Sequence, residues 1–388
     1  MAKGAYIGVD GVARKIKKGY VGVDGVARKI KKAYIGIGGV ARPCWGGGPI
    51  EYYGKITSMD AAMCDHVGVS AGNYAIFAGG MTTGSQNSVN AYNSSLVRTV
   101  APDMVSGRED FAGAYIAENG YTIFAGGEHN DEFVAVVDTY NSSLTQITSE
   151  EMSTPRSRLA SATVGKYAVF AGGEDANGDR SKVVEYFYDG TSNGYVGEVI
   201  GSSVRSTEQL KTASYYVAGG DNGAYALFYN WYRTDYVDAY NSSMTHSAIT
   251  NSIPTKDYVA IGRAGDYAIV AGGTNNAGNN IAIDQSLTVT FVDDLQEGRR
   301  QMKSTSLGKY AMFIGGYIDS TASRSAKVDL YDSSLVHTVA TDLSVTVDSH
   351  AAASVGNYAL VAGGNRGDNN YAYSTTVEAY VLNEQQEG

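Results

Sequence analysis

The densest group of side chains able to hold a ligand is Tyr229-Asn230-Trp231-Tyr232-Arg233-Thr234-Asp235-Tyr236, in which Tyr229, Trp231, Tyr232 and Tyr236 flank Arg233 and Asp235. Aromatic faces beside polar groups suit a sugar ring or a protein hot spot. The same rings serve equally well to fill space inside a fold. Tyr317, Tyr371 and Tyr373 stand in two further polar loops and belong to the same candidate surface. Asp175, Asn177 and Asp179 alternate as the oxygen ligands of a calcium loop do, but the distal Glu of an EF-hand is missing, so a polar turn is expected and neither a metal nor a cofactor. Arg366-Gly367-Asp368 is a three-letter match in a loop rich in Gly and Asn and reads as accidental. His66, His129, His246, His337 and His350 share no motif. The sequence has no nucleophile elbow, Walker loop, zinc-protease helix or sialidase-type Asp box, so no enzyme is expected.

What must position these residues is a repeat. Gly165-Lys166-Tyr167-Ala168-Val169-Phe170-Ala171-Gly172-Gly173 recurs six times in related form, led by Tyr74, Tyr121, Tyr225, Tyr267, Tyr310 and Tyr358. Spacings of 47, 46, 58, 42, 43 and 48 residues between lead tyrosines mark a repeat architecture. Each copy is a short apolar run between a turn and a glycine pair, too short for a helix, and reads as a strand buried on both faces. Around Tyr121 a full unit is predicted: strands over 110–116, 121–125, 133–140 and 144–148. The third strand ends in Tyr92-Asn93-Ser94-Ser95-Leu96, and again at Tyr140, Tyr240 and, with Asp332, at Tyr331; Asn or Asp before Ser is turn chemistry. Seven units of four antiparallel strands predict an all-β, seven-bladed β-propeller over 50–388. Its seventh blade lacks a fourth strand unless Tyr52–Thr57 supplies it, and that closure is expected.

The turns between first and second strands and between third and fourth are short, while the other two sets of connections are long and irregular. Strands alternate in direction, so both long sets emerge on one face, where function is expected. After the glycine pairs, the variable loops are read at 81–87, 128–132, 174–181, 274–285, 317–325 and 365–373. Arg156, Arg158, Arg299 and Arg300 precede first strands and either rim the central channel or form salt bridges between blades.

The 388 residues include 48 Gly, 30 Tyr and only 5 Pro, a composition suited to many short strands. The net charge of −10 is uneven: residues 1–48 hold ten Lys/Arg against two Asp, whereas the remainder holds 20 Lys/Arg against 38 Asp/Glu. The acidic bulk argues against nucleic acid as a partner of the propeller. Cys44 and Cys64 form no disulfide framework, no apolar run spans a membrane, and the N-terminus lacks the apolar core of a secretion signal.

Residues 5–18, Ala-Tyr-Ile-Gly-Val-Asp-Gly-Val-Ala-Arg-Lys-Ile-Lys-Lys, repeat with a period of 14 and end at Pro43. Asp10-Gly11, Asp24-Gly25 and Gly38-Gly39 are hairpin turns between alternating segments. A lone hairpin is marginal in water, so the units need one another or a partner. Residues 1–45 are therefore read as a basic anchor, with Tyr6, Ile7, Tyr20, Val21, Tyr34 and Ile35 as its packing positions, and 46–49 as a Gly-rich linker.

The tandem Tyr-Ile-Gly-Val-Asp-Gly-Val-Ala-Arg pattern and its ending Val40-Ala41-Arg42-Pro43-Cys44-Trp45 resemble the opening of tail-associated proteins of phages and prophages of Gram-positive bacteria. The Gly-Gly and following Tyr resemble kelch repeats, without their late Trp. The resemblances imply a phage-tail or tail-like particle protein, made without a signal peptide in the bacterial cytoplasm. Residues 1–45 would anchor it to other tail or baseplate proteins, with a homotrimer as one arrangement, and the propeller would bind a host-surface glycan or protein. The alternatives are a carbohydrate-active enzyme on the same scaffold and an intracellular kelch-like interaction scaffold.

Overall fold

The computed structural model describes residues 48–147, 151–188, 204–230, 235–274, 278–367 and 372–383, and, within the first 45 residues, strand backbones only. Seven four-stranded antiparallel sheets form a β-propeller, with no helix among the described residues. The innermost strands are Val67–Ala71, Ala112–Ile116, Ala160–Val164, Ala218–Asp221, Val259–Ala264, Lys303–Leu307 and Ala351–Val355. Each touches the next and the last touches the first, which closes a ring about one axis.

The closure is the expected one. Ile50–Ile56 pairs antiparallel with Val377–Leu382 and completes blade seven. Tyr52 donates a hydrogen bond from its hydroxyl to Glu378 Oε2 at 2.6 Å across that seam.

The second strands follow the repeated apolar run and are buried on both faces because each lies between neighbouring blades. Val69, Ala78 and Val89 of blade one, for example, share a core cluster with Phe111, Phe124 and Tyr140 of blade two. The glycine pair ending each of six second strands has a specific task. At Gly126-Gly127 both residues have positive φ (69° and 103°). A Cβ on Gly126 would lie 2.6 Å from the Arg156 carbonyl of the next blade, and one on Gly127 2.6 Å from the Glu109 carbonyl of its own. The close approach lets Gly127 N donate to Arg156 O at 2.8 Å. The second glycine of the other five pairs makes the same bond to the following blade, from Gly80 to Arg108, Gly173 to Ser214, Gly273 to Arg299, Gly316 to Val347 and Gly364 to Met63.

The Asn-Ser-Ser turns work as their chemistry predicts. Asn141 Oδ1 accepts from Ser143 N at 2.9 Å and Thr145 N at 3.0 Å. A fifth copy, not recognised in the sequence, is Asp284-Gln285-Ser286-Leu287, with Asp284 Oδ1 accepting from Ser286 N and Thr288 N at 2.8 Å each. The loop read over 274–285 therefore contains a third strand, Asn280–Ile283. In blade two the third strand is shorter than predicted, Val137–Tyr140, because Glu132–Phe133 pairs instead with Glu128–His129 in a separate ribbon.

The first 45 residues hold three backbone hairpins: Tyr6–Val9 with Val12–Lys15, Tyr20–Val23 with Val26–Lys29, and Ala33–Ile37 with Val40–Trp45. The side chains of Tyr6, Ile7, Tyr20, Val21, Tyr34 and Ile35 lie outside the described residues.

Candidate functional site

The segment leading into each first strand contains one non-glycine residue in the left-handed region. The seven are Asp65, Asp110, Arg158, Tyr216, Tyr258, Gln301 and Ser349, all with φ between 48° and 56°. The residue after each packs inward: Phe111, Leu159, Val217 and Met302 lie against the first glycine of the preceding blade's pair, and His66 and His350 do the same at Gly363 and Gly315. The left-handed turn thus sends one side chain under the neighbouring blade and leaves its predecessor facing the axis. Backbone bonds stitch the turns together: Arg158 N to Asp110 O at 2.8 Å, Tyr216 N to Arg158 O at 3.1 Å, and Asp65 N to Ser349 O at 2.9 Å.

All seven residues line a single cavity of about 230 Å³ at the axis, together with Lys303 from the first strand of blade six. It opens on the face of the long loops, because the same segments receive the bonds from the glycine pairs. Arg158 donates to Asp110 at 3.2 Å and Glu174 at 2.8 Å and lies over the Tyr216 ring at 5.3 Å. Arg300 donates to Asp319 at 2.7 Å and lies over both Tyr258, at 5.3 Å, and Tyr317, at 4.9 Å. The Tyr216 and Tyr258 rings are 5.4 Å apart. Lys303 has no carboxylate within ion-pair distance among the described residues.

Electrostatics divide the mouth. Burial, reinforced by Asp110, Asp65, Glu128 and Asp131, pushes the Glu109 carboxyl up to about 7. Burial also raises Asp65, against the opposing pull of Lys303. Beneath the rim, burial and the cations Lys303 and Arg366 push His66 down to about 3, and burial with Lys303, Arg366, His66 and Arg299 holds His350 well below the ordinary imidazole range.

The arginines named from the sequence split into two roles. Arg158 and Arg300 belong to the mouth. Arg156 and Arg299 are buried and pair within their own blades, with Glu185 and Asp329 at 2.6 Å each. Arg108–Asp138 is a third such pair at 2.6 Å, and Arg366 with Glu378 is a fourth. Arg366 is thus a structural cation, and Asp368 lies outside the described residues.

Two rings of the blade-four aromatic stretch, Tyr229 and Tyr236, do not line the mouth. Tyr229 is 1% exposed, sits in the core between blades four and five, and donates its hydroxyl to the Pro254 carbonyl. Tyr236 is buried, with Lys211 Nζ 4.5 Å from its ring centroid. These two rings fill space between elements. Asp235 is exposed, and Trp231, Tyr232, Arg233 and Tyr371 lie outside the described residues. Tyr373 is half-buried and bridges to Asn365. Tyr317 is the sequence-named candidate that the fold sets beside the mouth. At Asp175, Oδ1 accepts from Asn177 N at 2.9 Å and Asp179 N at 3.1 Å, so this carboxylate organises its own turn. No group of three metal-ligating side chains occurs among the described residues.

Apart from Arg158, the residues at the axial positions escaped sequence reasoning because their types follow no pattern from blade to blade. Their position was legible: each stands nine residues before its lead tyrosine in six blades and eleven in the second. No protein-family model matches the chain, and comparison with curated proteins gave no match.

Proposed function

We propose that the chain is a component of a phage tail or tail-like particle, and that the loop face of its propeller binds a host-surface receptor, a glycan or a surface protein, without turnover. Residues 1–45 hold it to other tail or baseplate proteins, with a homotrimer as one arrangement. The tandem repeat pattern quoted above supports the particle assignment. The observation that carries the binding reading is the contrast within the repeat. The four-stranded frame repeats from blade to blade, while the seven axial positions carry five different residue types and the surrounding loops vary in length and sequence. Several copies on one particle would add avidity to a weak single site.

The test has two parts. Antibody-labelled particles should show the protein at the tail, and deletion of residues 1–45 should remove it from them. The full-length protein should sediment with host cells. Protein found free in the cytosol and absent from particles refutes the assignment.

A second reading, a carbohydrate-active enzyme, is favoured by Glu109, whose raised carboxyl near the mouth retains a proton near neutrality as a general acid does. Release of reducing sugar from purified cell wall, abolished by Glu109→Gln, would establish it.

A further inference from the structure

The repeat supplies its own comparison between left-handed positions. At the turn between third and fourth strands the left-handed residue is Leu96, Leu144, Met244, Leu287 or Leu335, one kind of side chain throughout. There the fold sets both the backbone conformation and the apolar chemistry. At the axial position the same conformation carries Asp, Asp, Arg, Tyr, Tyr, Gln and Ser. Glycine would adopt this conformation most easily, yet none of the seven is glycine. Backbone requirement does not explain that diversity; the shared cavity they line does.

The chemistry of the cavity narrows its occupant. Arg158 is held by Asp110 and Glu174, and Arg300 by Asp319, so both guanidiniums are already neutralised. What remains is Asp65 facing Lys303, with Gln301 and Ser349 able both to donate and to accept. The balance, four carboxylates against three cations, disfavours an anion. It favours a neutral molecule whose groups each give and take a hydrogen bond. Tyr216 and Tyr258 supply the apolar contact. A cavity of about 230 Å³ has room for a single sugar-sized ring.

We infer that the axial mouth binds one neutral sugar residue, the terminal unit of a surface glycan, with Asp65 and Lys303 gripping its hydroxyls and the Tyr216–Tyr258 wall against its ring. This deepens the receptor-binding reading and rests on it for the source of the sugar.

The experiment uses the full chain and a panel of D-glucose, D-galactose, N-acetylglucosamine, L-rhamnose and their methyl glycosides. Binding is followed by saturation-transfer NMR and calorimetry, and binding of purified Gram-positive cell walls by sedimentation. At least one sugar should bind with a millimolar Kd, with affinity at least tenfold weaker in Lys303→Gln and in Tyr258→Gly and unchanged in Thr99→Ala on the outer edge. Lys303 is exposed, so its variant keeps the test decisive if Tyr258→Gly fails to fold. No binding by any sugar of the panel, or equal binding by Lys303→Gln, overturns the inference. Cell-wall binding that Lys303→Gln leaves intact overturns the pocket but keeps the receptor reading. Sugar binding without cell-wall binding keeps the pocket and overturns its source.

Discussion

Replacing His66 and His350 together by leucine, the residue blade three uses at the same place, should remove much of the protein's acid sensitivity. Both imidazoles are fully buried beneath the mouth, and the charged groups acting on them are the cations Lys303, Arg366 and, for His350, Arg299. Their folded pKa values lie below that of an unfolded histidine, about 6.5. The unfolded chain therefore takes up protons that the folded chain refuses. The stability each site contributes is complete above pH 6.5 and declines as pH falls toward the folded value, about 3 for His66. At pH 5.0 the gap below the unfolded value is about 1.5 units, or about 2 kcal/mol for His66, and His350 adds to it in the same direction. Glu109 acts with the opposite sign, since its raised folded pKa favours the folded state as pH falls below about 7, and the raised Asp65 acts in the same sense as Glu109. The wild-type curve is thus a sum, and the informative quantity is the difference between the two proteins. Urea unfolding at pH 7.5 and 5.0 should show the wild type losing at least about 2 kcal/mol more than the double variant over that interval. Equal losses in the two proteins would refute the assignment of buried, neutral histidines.

Arg299→Ala leaves Asp329 buried without its cation and should lower unfolding stability by about 3–5 kcal/mol in denaturant titration; a loss under about 1 kcal/mol would mean that the pair contributes little. Gln301→Gly relieves a left-handed side chain at an exposed position, and thermal unfolding should show it unchanged or stabilised by up to about 1 kcal/mol; a clear drop would make Gln301 structural. Tyr52→Phe removes one hydrogen bond to Glu378 and should cost about 1–3 kcal/mol, with proteolysis beginning at the closing strand before any other blade; cleavage elsewhere first would show that the seam is not the weak point.

The blades were legible because each imposes the same demand: an apolar strand between two neighbours, a turn ahead of it, and a glycine pair where backbone meets backbone. Closure by Tyr52–Thr57 was legible from arithmetic, a strand lacking at one end and spare at the other. The fifth turn was missed because Asp284 follows Ile283, where the other copies have Tyr before the Asn or Asp, although the carboxylate performs the same bonds. Two of the candidate binding rings proved to lie elsewhere for a deeper reason. Aromatic density marks either a binding surface or a core, and Tyr229 and Tyr236 belong to the core. The mouth is built from seven single residues about 45 positions apart, and only the ring brings them together. The choice between channel-rimming and bridging arginines likewise depended on side-chain direction: Arg158 turns to the axis while Arg156, two residues earlier, turns into its blade.

The pairing of Ile50–Ile56 with Val377–Leu382 joins parts of the chain more than 320 residues apart. A ribosome must finish the last blade before the first outer strand finds its partner, so the seal cannot form until the whole ring has been made. Once sealed, the strand continuous with the hairpin segment lies antiparallel in a six-pair ladder. A pull applied along that strand would load the rungs together, in shear.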